Sequence, residues 1–255
     1  MTKAKKKSKP NGIVLYEGPS PYNGDNIVVI MTGLKNPSKN EKTGPMAQVW
    51  IMYKDRHPVE ALNEGLDEAV CGTCPHRGDV CYVATYTTGA VWKAYQNGKY
   101  GRLPKTIVNR EKLLDGKSLR WGAYGDPAFI PPRVLRTIQK YMPALGYTHQ
   151  WRHCDPVMKY FLMASVDTPQ EQEEAEAQGW RTFRVRMENE PLLPGEIACP
   201  ADKIARGKML TTCNECMLCN GKKGEDDNRK NIAVYAHGSG KKKFEKWRES
   251  LPMAV

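Results

Sequence analysis

The chain has 255 residues, 40% hydrophobic and 26% charged, and its mixture of 22 Gly, 18 Pro and six Trp excludes a collagen-like, coiled-coil or wholly disordered protein. Lys and Arg total 39 against 28 Asp and Glu, a net +11, so a polyanion such as nucleic acid is the expected partner. No run approaches the roughly 18 consecutive apolar residues of a membrane span, and the opening residues lack the apolar stretch of an export signal. The expected location is therefore the cytoplasm, off the membrane, where eight cysteines serve as thiols or metal ligands rather than disulfides.

Residues 1–12, with Lys3, Lys5, Lys6, Lys7 and Lys9, form a basic segment with nothing to pack, and disorder is expected there. Residues 13–57 read as an N-terminal β-hairpin region. Strands at 27–31 and 47–53 flank a Gly/Pro/Lys loop carrying Lys35, Lys39 and Lys42. A helix over 88–97, ended by Gly98, places Trp92 and Tyr95 on one face, where core packing is the default and base stacking the alternative.

From residue 118 the pattern becomes strand, helix, strand. Residues 118–124 read as a strand, Pro131 and Pro132 open a helix with Val134, Leu135, Ile138, Tyr141 and Met142 on one side, and 147–151 is the next strand. A second unit follows. Residues 160–166 form an apolar strand, Thr168 and Glu171 have capping-box spacing, Pro169 takes the first helical position, Gly179 follows the last turn, and 181–186 returns as a strand. A final strand is expected at 232–236, and 238–255 reads as a basic C-terminal tail. The predicted fold class is α/β: a partial (β/α) barrel or an open, mainly parallel sheet over 58–237, with the N-terminal antiparallel hairpin region and a Cys-rich C-terminal segment at 196–221. One connection conflicts with this scheme, since 152–159 is too short for a crossover of about ten or more residues.

The cysteines form two groups. Cys71, Cys74 and Cys81 lie within eleven residues on a Gly/Pro loop, which suits a metal nest lacking one protein ligand. His76 and Cys154 are candidate fourth ligands, and a zinc site closed by either is the alternative. Cys199, followed by Pro200, and the triplet Cys213, Cys216 and Cys219 have ferredoxin-like spacing, which leans toward iron–sulfur, although four thiolates also suit a zinc knuckle.

The order of features resembles radical S-adenosylmethionine enzymes with an auxiliary cluster: a three-cysteine loop, then a strand ending in Gly125-Asp126-Pro127, then a four-cysteine group. The spacing of the first group is C-x₂-C-x₆-C, where that superfamily ordinarily has C-x₃-C-x₂-C. The resemblance implies an iron–sulfur cluster with one open iron for S-adenosylmethionine, with Gly125 and Asp126 supporting the cofactor. Asp167 and Arg186, at later strand ends, would face the same mouth. The motifs Lys42-Thr43-Gly44, Cys71-Gly-Thr-Cys74-Pro-His-Arg77, Gly146-Tyr-Thr-His-Gln-Trp151 and Gly179-Trp-Arg-Thr-Phe-Arg184 are also similar to a group of cysteine-rich proteins of tailed bacteriophages.

Other candidates are weaker. His149 and His153 share helical i, i+4 spacing but fall in a predicted strand, leaving His149 as a candidate acid–base group beside Asp126. Asp126 and Asp167 could together hold Mg²⁺ for phosphodiester cleavage, but Asp167 is better explained as part of the helix cap before Pro169. Walker A, Gly-x-Gly-x-x-Gly, Gly-x-Ser-x-Gly and His-x-His motifs are absent from the sequence. The expected function is an iron–sulfur, radical S-adenosylmethionine-like enzyme acting on a nucleic acid or nucleotide. The rivals are a non-enzymatic nucleic-acid-binding protein with structural zinc and a metal-dependent nuclease.

Overall fold

The structure, a computed structural model, describes residues 11–78, 80, 81, 83, 85–238 and 240–251. Of the segment expected to be disordered, residues 1–10 lie outside these, and Gly12 already opens a strand. β1 (Gly12–Pro19), β2 (Asn26–Thr32) and β3 (Ala47–Tyr53) form an antiparallel meander, one strand more than the predicted hairpin. Residues 27–31, an unbroken apolar run, are fully buried in β2, as a central strand covered on both faces requires.

Three helices follow, α1 (Pro58–Asn63), α2 (Glu68–Cys71) and α3 (Thr85–Gln96). In α3, Trp92 donates to the Lys54 carbonyl and Tyr95 to Glu17, so both aromatics serve packing, as the default reading has it. β4 (Gly101–Arg102) pairs along β1, α4 (Ile107–Leu114) crosses back, and β5 (Leu119–Tyr124) lies parallel to β3. α5 (Pro132–Gln139) leads to β6 (Ala144–Leu145), parallel to β5, and this completes a six-stranded sheet in the order β4-β1-β2-β3-β5-β6.

Gly146 separates β6 from β7 (Tyr147–Thr148), where a second sheet begins. A Cβ at Gly146 would lie 2.8 Å from that of Trp121, so the close passage between the sheets needs a residue without a side chain. β8 (Met163–Val166), α6 (Pro169–Ala177), β9 (Thr182–Arg186), β10 (Glu196–Ala198), α7 (Lys203–Arg206), α8 (Cys213–Cys216) and β11 (Asn231–Tyr235) build a five-stranded sheet ordered β10-β11-β9-β8-β7, parallel throughout. The architecture is thus α/β, open and mainly parallel, with the antiparallel region at β1-β2-β3, and the described residues contain no closed barrel.

The short-crossover conflict is resolved at both ends. The predicted strand 147–151 stops at Thr148 and the predicted 160–166 starts only at Met163, so residues 149–162, including a 3₁₀ turn at Pro156–Tyr160, make the crossover. Side-chain alternation then assigns the faces of the second sheet. Ala164 and Val166 pack with Ala175 of α6, while Met163, Phe183, Val185, Ile232 and Val234 meet the four-cysteine segment on the opposite face.

The expected C-terminal tail is largely a helix, α9 (Lys241–Ser250), with Phe244 buried. Its sequence KKKFEKWRES hides a two-residue apolar contact, Phe244 and Trp247 at i, i+3, within a run whose charge suggests a solvated tail.

Candidate metal centre at the strand ends

Parallel strands present their carboxyl ends to one side, and in such sheets that side collects ligand-binding loops. Here the loop after β3, the ends of β5, β7 and β8, and α9 converge. α2 ends at Cys71, and the Asp126 amide donates to the Val70 carbonyl at 2.6 Å, which fastens the end of β5 to the cysteine-bearing helix. Gly125 permits that approach. Its φ is +77°, and a Cβ would sit 2.6 Å from the Ile51 carbonyl oxygen, so Gly125 serves the turn's geometry.

Cys71, Cys74 and Cys81 are near enough for charge on one to act on another: burial pushes the Cys71 thiol far up, and Asp67, Cys74 and Cys81 add to the effect. Burial likewise raises Cys81 and pushes Cys74 up to about 12. Cys74 also borders an open cleft of about 820 Å³, counting its solvent side, together with Leu62, Asp67, Thr73 and Arg77. Cys154 is pushed up to about 12 by burial, with Asp126 adding to the effect.

Beside Cys74 lies a set that the sequence reading did not assemble. His76 Nε2 is 3.1 Å from Asp167 Oδ1, and His149 Nε2 is 3.9 Å from Asp167 Oδ2. The ligand atoms of His76, His149 and Asp167 all lie within 4.8 Å of one another. On its other side, His149 Nδ1 is 3.4 Å from Cys74 Sγ. His149 Nε2 is buried and has no hydrogen-bond partner. α9 covers the set, its Trp247 and Phe244 rings standing edge-on to His76 at 4.6 and 5.7 Å between centroids.

Asp126, expected to support a cofactor, is instead spent on the backbone. Its carboxylate accepts from the amides of Ala128 and His149, each at 2.9 Å, and is further bonded by the Thr148 hydroxyl and the Gln150 amide. Burial raises its pKa to about 6 against those bonds. Asp126 therefore positions the loop that carries His149. Asp167 departs from the expected cap: Thr168 Oγ1 accepts from the Glu171 amide and caps α6, while Glu171 reaches back to the Asp167 amide, leaving the Asp167 carboxylate free to face the histidines. Burial opposes ionisation of Asp167, yet the hydrogen bond from His76 and the charges of His76, His149 and Arg248 hold it below the usual carboxylate value. Arg186, also expected at the mouth, lies over the Tyr235 ring at 3.9 Å and donates to the Glu190 carbonyl. His153 is exposed and takes no part in the site.

Cys74, His149 and Asp167 have the outline of a nucleophile, base and orienting acid, but the electrostatics oppose that use. Burial lowers His149 to about 4 and raises Cys74, so a thiolate–imidazolium pair does not form near neutral pH. Buried sulfurs this hard to ionise are inert as free thiols, whereas a bound cation would stabilise their thiolates. Thiol, imidazole and carboxylate donors gathered in this way suit a metal ion better than a free nucleophile.

The second group occupies a different place. Cys199, Cys213, Cys216 and Cys219 line one narrow cavity of about 10 Å³ with Leu145, Met217 and Ile232, against the sheet face opposite α6. Its surroundings are the starts of strands: the Gly146 amide donates to the Cys219 carbonyl and Arg181 to that of Leu218. The basic loop before β3 docks there too, its Lys42 and Thr43 carbonyls accepting from the amides of Cys213 and Asn214. The chain matches no protein-family model, no curated protein and no solved structure. Among the described residues no helix is long and apolar enough to cross a membrane.

The histidine set was partly legible. His76 was a candidate ligand by its place in the cysteine loop, His149 a candidate acid–base group at one strand end, and Asp167 a candidate cofactor contact at the next. What was missing was the pairing of a loop histidine with the later strand ends. The contribution of α9 carried no motif.

Proposed function

We propose that this chain is an iron–sulfur enzyme of the radical S-adenosylmethionine-like kind, in which Cys71, Cys74 and Cys81 hold a cluster with one iron open toward the cleft. The observation that carries the reading is placement: the three-cysteine loop sits at the carboxyl ends of parallel strands beside an open cleft, where such folds work, while the four-cysteine group is packed against the sheet.

S-adenosylmethionine, when bound, supplies an organic radical upon one-electron reductive cleavage. The chain's part is to hold the cluster, shield it and orient the substrate. Asp126 does not fit the amino-group anchor that the resemblance implies, because its carboxylate is already saturated by backbone donors. On the cleft wall Arg77, fixed by Asp67 at 2.8 Å, offers a cation for an anionic group, and the net +11 charge favours a nucleic-acid or nucleotide substrate.

The test uses full-length protein purified without oxygen. Expected are visible iron–sulfur absorption, acid-labile sulfide, and methionine released from S-adenosylmethionine under a strong reductant, lost in Cys81→Ser. A colourless protein with stoichiometric zinc and no cofactor cleavage would refute the proposal. Salt-sensitive nucleic-acid binding by that colourless protein would favour the structural-zinc rival, and Mg²⁺-dependent cutting abolished in Asp126→Ala the nuclease.

A further inference from the structure

We infer that His76, His149 and Asp167 form a mononuclear site for a divalent transition-metal ion of the zinc or ferrous class, separate from both cysteine groups. Four observations meet there. The three donor atoms lie within 4.8 Å of one another, the size that one ion organises: metal–ligand bonds of about 2.0–2.1 Å in a tetrahedron separate donors by about 3.3 Å. The 3.1 Å from His76 Nε2 to Asp167 Oδ1 already matches, and the 3.9 Å from His149 Nε2 to Asp167 Oδ2 closes with a small ring movement.

The second observation is the pairing of the His149 ring: Nδ1 lies 3.4 Å from Cys74 Sγ while Nε2 is buried without a partner, so the tautomer that donates Nδ1–H to the sulfur places its lone pair on the unpaired atom. Metal-binding histidines are ordinarily set up this way, the second nitrogen held by a neighbouring acceptor. Third, the backbone that carries His149 is fixed before any ion arrives, since its amide is tied to Asp126 at 2.9 Å. Fourth, Trp247 and Phe244 of α9 pack on His76 and keep it from turning away to solvent. Two imidazoles and one carboxylate suit zinc or ferrous iron and disfavour magnesium or calcium, which take oxygen shells. Three protein ligands leave a position for water or an oxygen-bearing ligand, next to Cys74.

This site stands on its own donors and does not require the cluster. The experiment is elemental analysis with acid-labile sulfide on the full-length wild type, His149→Ala and Asp167→Asn, after addition of ferrous iron or zinc and desalting. The expected result is loss of one metal equivalent per chain in both variants, with sulfide unchanged. Equal metal content in all three proteins would overturn the inference. Should either variant fail to fold, cobalt(II) titration of the wild type decides. One cobalt with tetrahedral d–d bands and no thiolate charge-transfer band supports the site, and cobalt bound with thiolate charge transfer alone refutes it. The absence of sulfide and visible absorption from every protein, by contrast, would count against the cluster and leave this measurement intact.

Discussion

The buried ion pair behind the second sheet gives the most quantitative test of the packing. Arg184 Nε and Nη2 each lie 2.8 Å from a Glu196 carboxylate oxygen, with side chains 2% and 0% exposed. Arg184 Nη2 also donates to the Pro191 carbonyl, and Glu196 accepts from the Leu193 amide, so both partners are held by more than each other. Glu196→Ala leaves the buried Arg184 guanidinium only its longer contact to Glu190, 3.4 Å, and is expected to cost about 3 kcal/mol. For a chain of this size that lowers the thermal midpoint by about 10 °C. Because desolvation had offset most of the attraction, Arg184→Met with Glu196→Leu is expected to recover most of that loss. Thermal and urea unfolding of the single and double variants, at fixed metal content, provide the assay. A single variant within about 1 kcal/mol of wild type, or a double variant no better than the single, would refute the reasoning.

Other outcomes follow from the same contacts. Gly125→Ala combines a φ of +77° with a 2.6 Å approach to the Ile51 oxygen, so it should push β5 away from α2 and lower metal bound by the first cysteine group, measured as iron per chain. Phe244→Ala should weaken the docking of α9 by about 3–5 kcal/mol while sparing the main unfolding transition, seen as faster proteolysis near Gly240. The hydrogen bond and charge of Arg229 hold the Asp227 carboxyl far below 3.8, so its contribution to stability is complete above about pH 4 and fades as pH falls further. Asp227→Asn should therefore be less stable than wild type at pH 6, and urea unfolding should show the gap narrowing toward pH 2; a constant gap would contradict the linkage.

Local signals carried much of this structure. Thr168, Glu171 and Pro169 announce α6, and the apolar runs at 27–31 and 160–166 announce buried strands, the second beginning only at Met163, because capping and apolar runs are properties of neighbouring residues. The four-cysteine group was legible for a related reason, since short spacing gathers its side chains at one cavity. Asp126, Asp167 and Arg186 were placed by the rule that strand ends share a mouth, which fixes where a residue sits and not where its side chain turns. Asp126 turned to the amides of its own turn and of His149, and Arg186 to Tyr235. Only Asp167 turned toward the mouth, because Thr168 took over the capping role.

The division between the two cysteine groups has a physical basis in the topology. The sheet face opposite α6, which a closed barrel would turn toward its interior, is filled by the 196–221 segment, with Leu145, Met163, Phe183 and Ile232 packed against the cysteines. A metal bound there would tie α8 and the turn after β10 to strands that short turns alone would hold weakly, so Cys219→Ser is expected to act chiefly on stability. The loop after β3 meets the opposite condition. Cys74 borders an open cleft on one side and buried imidazole on the other, so a ligand bound there would exchange without disturbing the core. If chelation of all bound metal lowered the unfolding midpoint of Cys219→Ser as much as that of wild type, the second centre would not be the stabilising one, and this assignment of roles would fail.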